Sequence, residues 1–136
     1  MGFGVPGALG AQLGTGDRPI VLCGDGAFQM TGPEICHAPR YGLNPIIIVM
    51  NNAGWGIFRP VTERQDLLNL PSWPYAQMAE AWGGVGFRVE TVGELRTALV
   101  DAGKTPSFVI IEAMVNPDDL SPVTRKYIQA SVGKKR

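Results

Sequence analysis

Four short apolar runs punctuate the chain, and each stops at residues that cannot continue it. Pro19 to Cys23 (PIVLC) ends in Gly24-Asp25-Gly26, and Pro45 to Met50 (PIIIVM) ends in Asn51-Asn52-Ala53-Gly54. Gly86 to Glu90 and Ser107 to Val115 are the other two. Their Ile and Val content, with no polar alternation in the second and fourth, predicts strands covered on both faces. Between the runs the spacing turns helical. Thr31-Gly32-Pro33-Glu34 fits a capping box, with Thr31 capping, Glu34 reaching back and Pro33 in the first turn. That helix is expected to stop near Tyr41 with Gly42 as its left-handed cap, and Pro39 within it predicts a kink or a shortened helix. Residues 73–82 and 92–102 also read as helices, and Ser121-Pro122 reads as the start of a last one. Small residues from Gly7 to Gly14 suit a helix lying close to a sheet. Strand and helix alternate throughout, which predicts an α/β fold: a doubly wound, mostly parallel sheet with helices on both faces.

Length narrows this to one domain, since the 136 residues contain no repeat and no linker. A chain of this size buries a core without disulfides or metals. Hydrophobic residues make up 45% and charged residues 18%, a globular composition. Lys+Arg and Asp+Glu both total 12, so there is no electrostatic case for nucleic acid or an anionic membrane as partner. The basic tail Lys134-Lys135-Arg136 reads as a solvated terminus. No apolar run approaches the ~20 residues of a membrane helix. Met1 to Leu13 lacks the basic stretch of a signal peptide. Cys23 and Cys36 have no CxxC spacing and are too few for a disulfide framework. Both are expected as buried thiols in a reducing cytoplasm.

In open α/β sheets, ligands bind beyond the carboxyl ends of the strands. Two strands here end in polar clusters. One supplies Asp25 between two glycines; the other supplies Asn51 and Asn52, followed by Gly54 and Gly56. Glycines let the backbone approach a ligand and turn N–H groups toward an anion. A carboxylate with an amide oxygen is hard-oxygen ligation, suited to Mg²⁺ that shares its shell with phosphate and water. The pair therefore points to a magnesium-bridged phosphate or diphosphate site. Either cluster alone is equally well read as an ordinary strand exit, where Asp, Asn and Gly are common. A competing motif, Gly2-Phe3-Gly4-Val5-Pro6-Gly7, fits G-x-G-x-x-G, with Asp25 lying 18 residues after Gly7. That dinucleotide fingerprint needs a strand before its first glycine, and none is predicted there. His37 reads as a surface or satisfied core residue. Trp55, Phe58 and Trp73 either line a pocket for an aromatic substrate or pack the core. Asp118 and Asp119 look like a solvated turn, and Gln29 and Glu34 like polar groups at a helix start.

Gly24-Asp25-Gly26, then 24 residues, then Asn51-Asn52, resembles the thiamine diphosphate motif of the pyruvate decarboxylase and acetolactate synthase superfamily. Met1 to Ala11 looks like the segment just before that motif, and Arg40 to Pro45 looks like its usual middle. Asn51-Asn52-Ala53-Gly54-Trp55 and Leu120-Ser121 are most similar to the phenylpyruvate/indolepyruvate decarboxylase branch. The resemblance implies the thiamine-diphosphate-binding fold, with Asp25, Asn52 and the Gly54 carbonyl as protein ligands to Mg²⁺. It places Gly24, Gly26 and Ala27, with the backbone of Gly56 and Ile57, at the diphosphate. Met1 falls where the family has a bulky apolar side chain that holds the cofactor bent, so that its own amino group can remove a ring proton. The implied reaction is non-oxidative decarboxylation of a 2-oxo acid, with an aromatic one among the candidates, or a related carboligation, with the cofactor carrying the chemistry.

Two departures qualify the resemblance. Phe58 stands where the pyruvate decarboxylase branch carries a glutamate that helps proton transfer, which argues against a simple pyruvate decarboxylase. The family's cofactor also sits between two domains, and the partner domain supplies a glutamate to the pyrimidine ring. That pyrimidine-binding domain is absent from these residues, as are the backbone just before Met1 and the domain's first strand and helix. The expectation is an N-terminally truncated diphosphate domain over residues 1–136, with no catalytic residue of its own and inactive alone. It would work as a homo-oligomer or beside a chain carrying the pyrimidine-binding domain. The alternatives are a cofactor-free interaction module that self-associates through a bare sheet edge or face, or the small subunit of a split enzyme.

Overall fold

A computed structural model of the chain describes residues 1–59 and 62–126; the tail Lys134-Lys135-Arg136 lies outside them. Four strands, β1 (Ile20–Gly24), β2 (Ile46–Asn51), β3 (Val85–Val89) and β4 (Val109–Met114), form one parallel sheet in the order β1-β2-β4-β3. Each begins and ends within one or two residues of the apolar run that predicted it. The register sets Gly24 of β1 opposite Met50 of β2, so the two polar exits open at the same end of the sheet.

Helices cover both faces. On one, α1 (Gly4–Thr15), α2 (Asp25–Thr31) and α4 (Tyr75–Ala81) enclose a core that includes Val21, Phe28, Ile47, Val49, Tyr75 and Ile110. On the other, α5 (Val92–Lys104) lays Ala98 and Ala102 against Ile46, Ile48, Val109 and Ile111. The central strands β2 and β4 are thus buried from both sides, as their unbroken apolar runs require. On β1, by contrast, Ile20 and Leu22 share the face of Ile46 and Ile48 but are 61% and 70% exposed. The contacts of α5 are mainly with β3 and β4, and among the described residues no helix covers the β1 half of that face.

The capping box expected at Thr31 and Glu34 does not form. The helix starts six residues earlier, at Asp25, and Thr31 is its last residue. Burial of Phe28 against the sheet drives that early start, because it needs a helical turn already in place. Gly32 to His37 then form a 3-10 stretch, the Thr31 hydroxyl donates to the Gly2 carbonyl, and Glu34 faces His37 at 3.6 Å. Pro39 falls in the first turn of a short α3 (Ala38–Tyr41), where its missing N–H is harmless, and Gly42 closes it at φ 64° as expected. A capping box of the same spacing does form before α5, between Thr91 and Glu94. The expectation of two buried thiols is also corrected: Cys23 is half-buried, but Cys36 points outward from the 3-10 stretch and is exposed. Among the described residues, no helix is long and apolar enough to cross a membrane.

Candidate functional site

Asp25 follows β1 directly and opens α2. It is an acid, yet only 2% exposed. Its Oδ1 accepts the Gly26 N–H at 2.9 Å and its Oδ2 accepts the Gly54 N–H at 2.9 Å. One carboxylate therefore starts the helix and ties down the loop after β2. Burial holds the Asp25 carboxyl above the usual carboxylate range, and the backbone N–H groups of Gly26 and Gly54 offset part of that rise. A cation brought beside it would favour the ionised form.

Beyond β2 the two amides part. Asn51 turns into the protein, where its Nδ2 donates to Glu112 Oε1 at 2.9 Å and its Oδ1 accepts the Ala53 N–H at 3.1 Å. Asn52 lines the cleft with its amide nitrogen over Gly56, a position any Cβ would contest. Its Oδ1 is buried and accepts no hydrogen bond. A buried acceptor without a donor costs about 1–3 kcal/mol, and a cation is a fitting partner for such an oxygen. Gly54 completes the group: its N–H is held by Asp25, and its carbonyl accepts the Gly56 N–H at 2.9 Å with a second lone pair left over. Its own backbone is pinned between Asp25 and the segment after it, since Trp55 N–H donates to the Leu68 carbonyl. The Trp55 ring lies across Gly26, where a Cβ would come within 2.7 Å of it. These donors fit a hard divalent cation.

All nine residues singled out from the sequence line one cleft of about 420 Å³: Met1, Gly24, Asp25, Gly26, Ala27, Asn52, Gly54, Gly56 and Ile57. Sequence reasoning missed Met50 and Val115, and missed Leu120 and Thr124, which the C-terminal segment brings to the same cleft. Nothing in their local pattern marks them; the fold delivers them. Asp119, read as part of a solvated turn, is exposed and faces Arg125 at 3.7 Å, yet it also lines the cleft. Ser121 caps the helical stretch that begins at residue 122, accepting the Thr124 N–H at 3.1 Å.

Other candidates lie elsewhere. Of the three aromatics, Trp55 lines the cleft, Trp73 packs beside Tyr75 with ring centroids 6.3 Å apart, and Phe58 is partly exposed outside the lining. His37 is exposed. Gln29 donates to the Pro71 carbonyl and the Tyr75 hydroxyl, bridging α2 to α4 rather than starting a helix. The glycine-rich run Gly2 to Gly7 leads into α1, which packs on β1 with Gly4 close against Val21. Burial first, and then the charge of Asp25, push the Cys23 thiol up to about 11, so it stays protonated and unreactive.

Parallel strands whose polar exits meet in one cleft define an α/β domain of the class whose ligand sites lie beyond the carboxyl ends of the sheet. The chain belongs to the thiamine pyrophosphate enzyme, C-terminal TPP binding domain family, whose model matches residues 1–113. It is similar to the indole-3-pyruvate decarboxylase of Azospirillum brasilense, 43% identical over 138 aligned positions that cover 100% of this chain and 25% of that protein. It is also similar to an alpha-keto-acid decarboxylase of Mycolicibacterium paratuberculosis, 34% identical over 122 positions, 86% of this chain and 22% of that protein. Among solved structures, benzoylformate decarboxylase from Polynucleobacter necessarius superposes with a TM-score of 0.73 at 28% identity, over 85% of this chain and 23% of that one. The chain thus spans about a quarter of the length of the relatives it matches.

Proposed function

We propose that this chain binds thiamine diphosphate through Mg²⁺ and serves as the C-terminal, diphosphate-holding domain of a 2-oxo-acid decarboxylase or related carboligase. The observation that carries this reading is the buried, donorless Oδ1 of Asn52 in the same cleft as Asp25 and Gly54. Asp25, Asn52 and the Gly54 carbonyl would hold the metal. Gly24, Gly26 and Ala27, with the backbone of Gly56 and Ile57, would meet the diphosphate, and Met1 would lie against the ring. When bound, the cofactor supplies the electron sink that lets a bond next to a carbonyl break. The chain's own part is to bind and orient it: Asp25 brings charge, the glycines bring the backbone close, and Trp55, Met50 and Val115 offer apolar walls that keep water away.

The relatives' names support a 2-oxo acid as substrate, and two of the three name an aromatic one. The remainder of the active site would come from a pyrimidine-binding domain, on the same polypeptide or another copy, and the 136 residues alone are expected to be inactive. A reducing cytoplasm suits the two free thiols. Calorimetry tests the reading. Thiamine diphosphate should bind the chain with Mg²⁺ present and fail to bind with EDTA or in Asp25→Ala; binding indifferent to both changes would overturn it.

A second reading rests on the bare strip of Ile20, Leu22 and Met50, the last 44% exposed. Uncovered apolar surface of this kind marks an association surface, so the chain is also expected to self-associate. A strictly monomeric chain by light scattering, at all concentrations, would remove this reading.

A further inference from the structure

We infer that Glu112, acting through Asn51, positions the loop that presents Asn52 and Gly54 to the metal; the inference rests on the cofactor reading given above. Glu112 lies in the middle of β4, 2% exposed, between apolar neighbours Ile111 and Ala113. A carboxylate here is a burden on the sheet unless its oxygens are bonded, and an apolar side chain would serve the sheet better. Its partners show what it holds. Arg88, directly opposite on β3, approaches Oε1 to 3.5 Å, and the Ala76 N–H in the first turn of α4 lies 3.5 Å from Oε2. The shortest bond of the set is the one from Asn51 Nδ2, at 2.9 Å. Glu112 pairs with Val49 across β2, so Asn51 is reached diagonally, two residues nearer the cleft.

That bond orients the Asn51 amide. Glu112 Oε1 accepts from the NH₂ end of the amide, which turns that end toward β4 and leaves Oδ1 for the Ala53 N–H. A flipped amide would lose both bonds. Ala53 is the residue that needs holding: it sits at φ 53°, and among the described residues no other non-glycine has positive φ. A side chain in that region persists only where its surroundings impose it. Two bonds do so, the Asn51 Oδ1 on its N–H and the Leu70 N–H on its carbonyl at 3.0 Å. The left-handed turn follows Asn52 and brings Gly54 back to the cleft that Asn52 lines, with the Gly54 N–H on Asp25. Glu112 itself does not line the cleft. It is a positioning residue, one step behind the ligands.

The test compares Glu112→Gln, which keeps an acceptor for Asn51, with Glu112→Leu, which does not. Calorimetry would measure Mg²⁺-dependent thiamine diphosphate binding to the full chain, with Mn²⁺ resonance as a direct count of bound metal. Glu112→Leu should weaken metal and cofactor binding about 10–100-fold, the range typical of groups that orient a metal's ligands, while Glu112→Gln stays near wild type. Adding Ala53→Gly to Glu112→Leu should restore part of the affinity, because glycine takes the left-handed turn without help; a role confined to sheet stability predicts no such rescue. Wild-type affinity in a folded Glu112→Leu, or no rescue by Ala53→Gly, overturns the inference while leaving the cofactor reading intact. No binding by the wild-type chain fails the cofactor reading itself. If Glu112→Leu does not fold, Asn51→Ser breaks the same relay with less disturbance and is read by the same outcomes.

Discussion

Asn51 and Asn52 are identical neighbours with opposite fates, and their substitution should differ in its effect on metal-free stability. Asn51→Ala strips a hydrogen-bond donor from buried Glu112 and an acceptor from Ala53, so it should lower stability by about 1–3 kcal/mol in urea unfolding. Asn52→Ala removes an oxygen that has no donor, so metal-free stability should hold or rise slightly while Mg²⁺-dependent cofactor binding falls. A matched loss of stability in both variants would contradict this division. The residues alone offered two amides at a strand end without choosing between them, and only the resemblance favoured Asn52. Alternation by itself gives adjacent residues opposite faces, and the bond from Asn51 to buried Glu112 fixes which amide turns inward and leaves Asn52 to the cleft.

Among the elements, α5 and α4 carry the clearest tests. Glu94 accepts bonds from the N–H groups of Glu90 and Thr91, which hold its carboxyl below the ordinary range. Because the folded value is the lowered one, this contribution is complete above the ordinary glutamate range and is lost as pH falls through the lowered value. Thermal unfolding of wild type and Glu94→Gln should therefore differ at neutral pH and converge in acid. A gap that stays constant into acid would exclude the charge as its source. On the other face, α4 rests its Ala76 carbonyl against Gly86 of β3 so closely that no Cβ fits. Gly86→Ala should push the two apart and cost about 1–3 kcal/mol or more by chemical denaturation. Helix starts were only half legible in the sequence. Thr31 to Glu34 and Thr91 to Glu94 have the same spacing, but the buried Phe28 claims the first for the end of an earlier helix.

For the molecule as a whole, the uneven cover of the sheet is the controlling feature. Among the described residues, α5 shields the β3–β4 half of its face, and the strip of Ile20, Leu22 and Met50 on the other half is exposed. Leu22→Lys should reduce self-association in light scattering and leave cofactor affinity unchanged, since Leu22 lies outside the cleft. Undiminished association would place the contact elsewhere. Strand positions, the alternation with helices and the two polar exits were all determined by the sequence, because side-chain period and turn chemistry act over a few residues. The tertiary structure alone decided two things: that Glu112 reaches diagonally to Asn51, and that residues near 120 join the cleft. Each depends on register or packing between segments far apart in the chain, and no local pattern encodes such a distance.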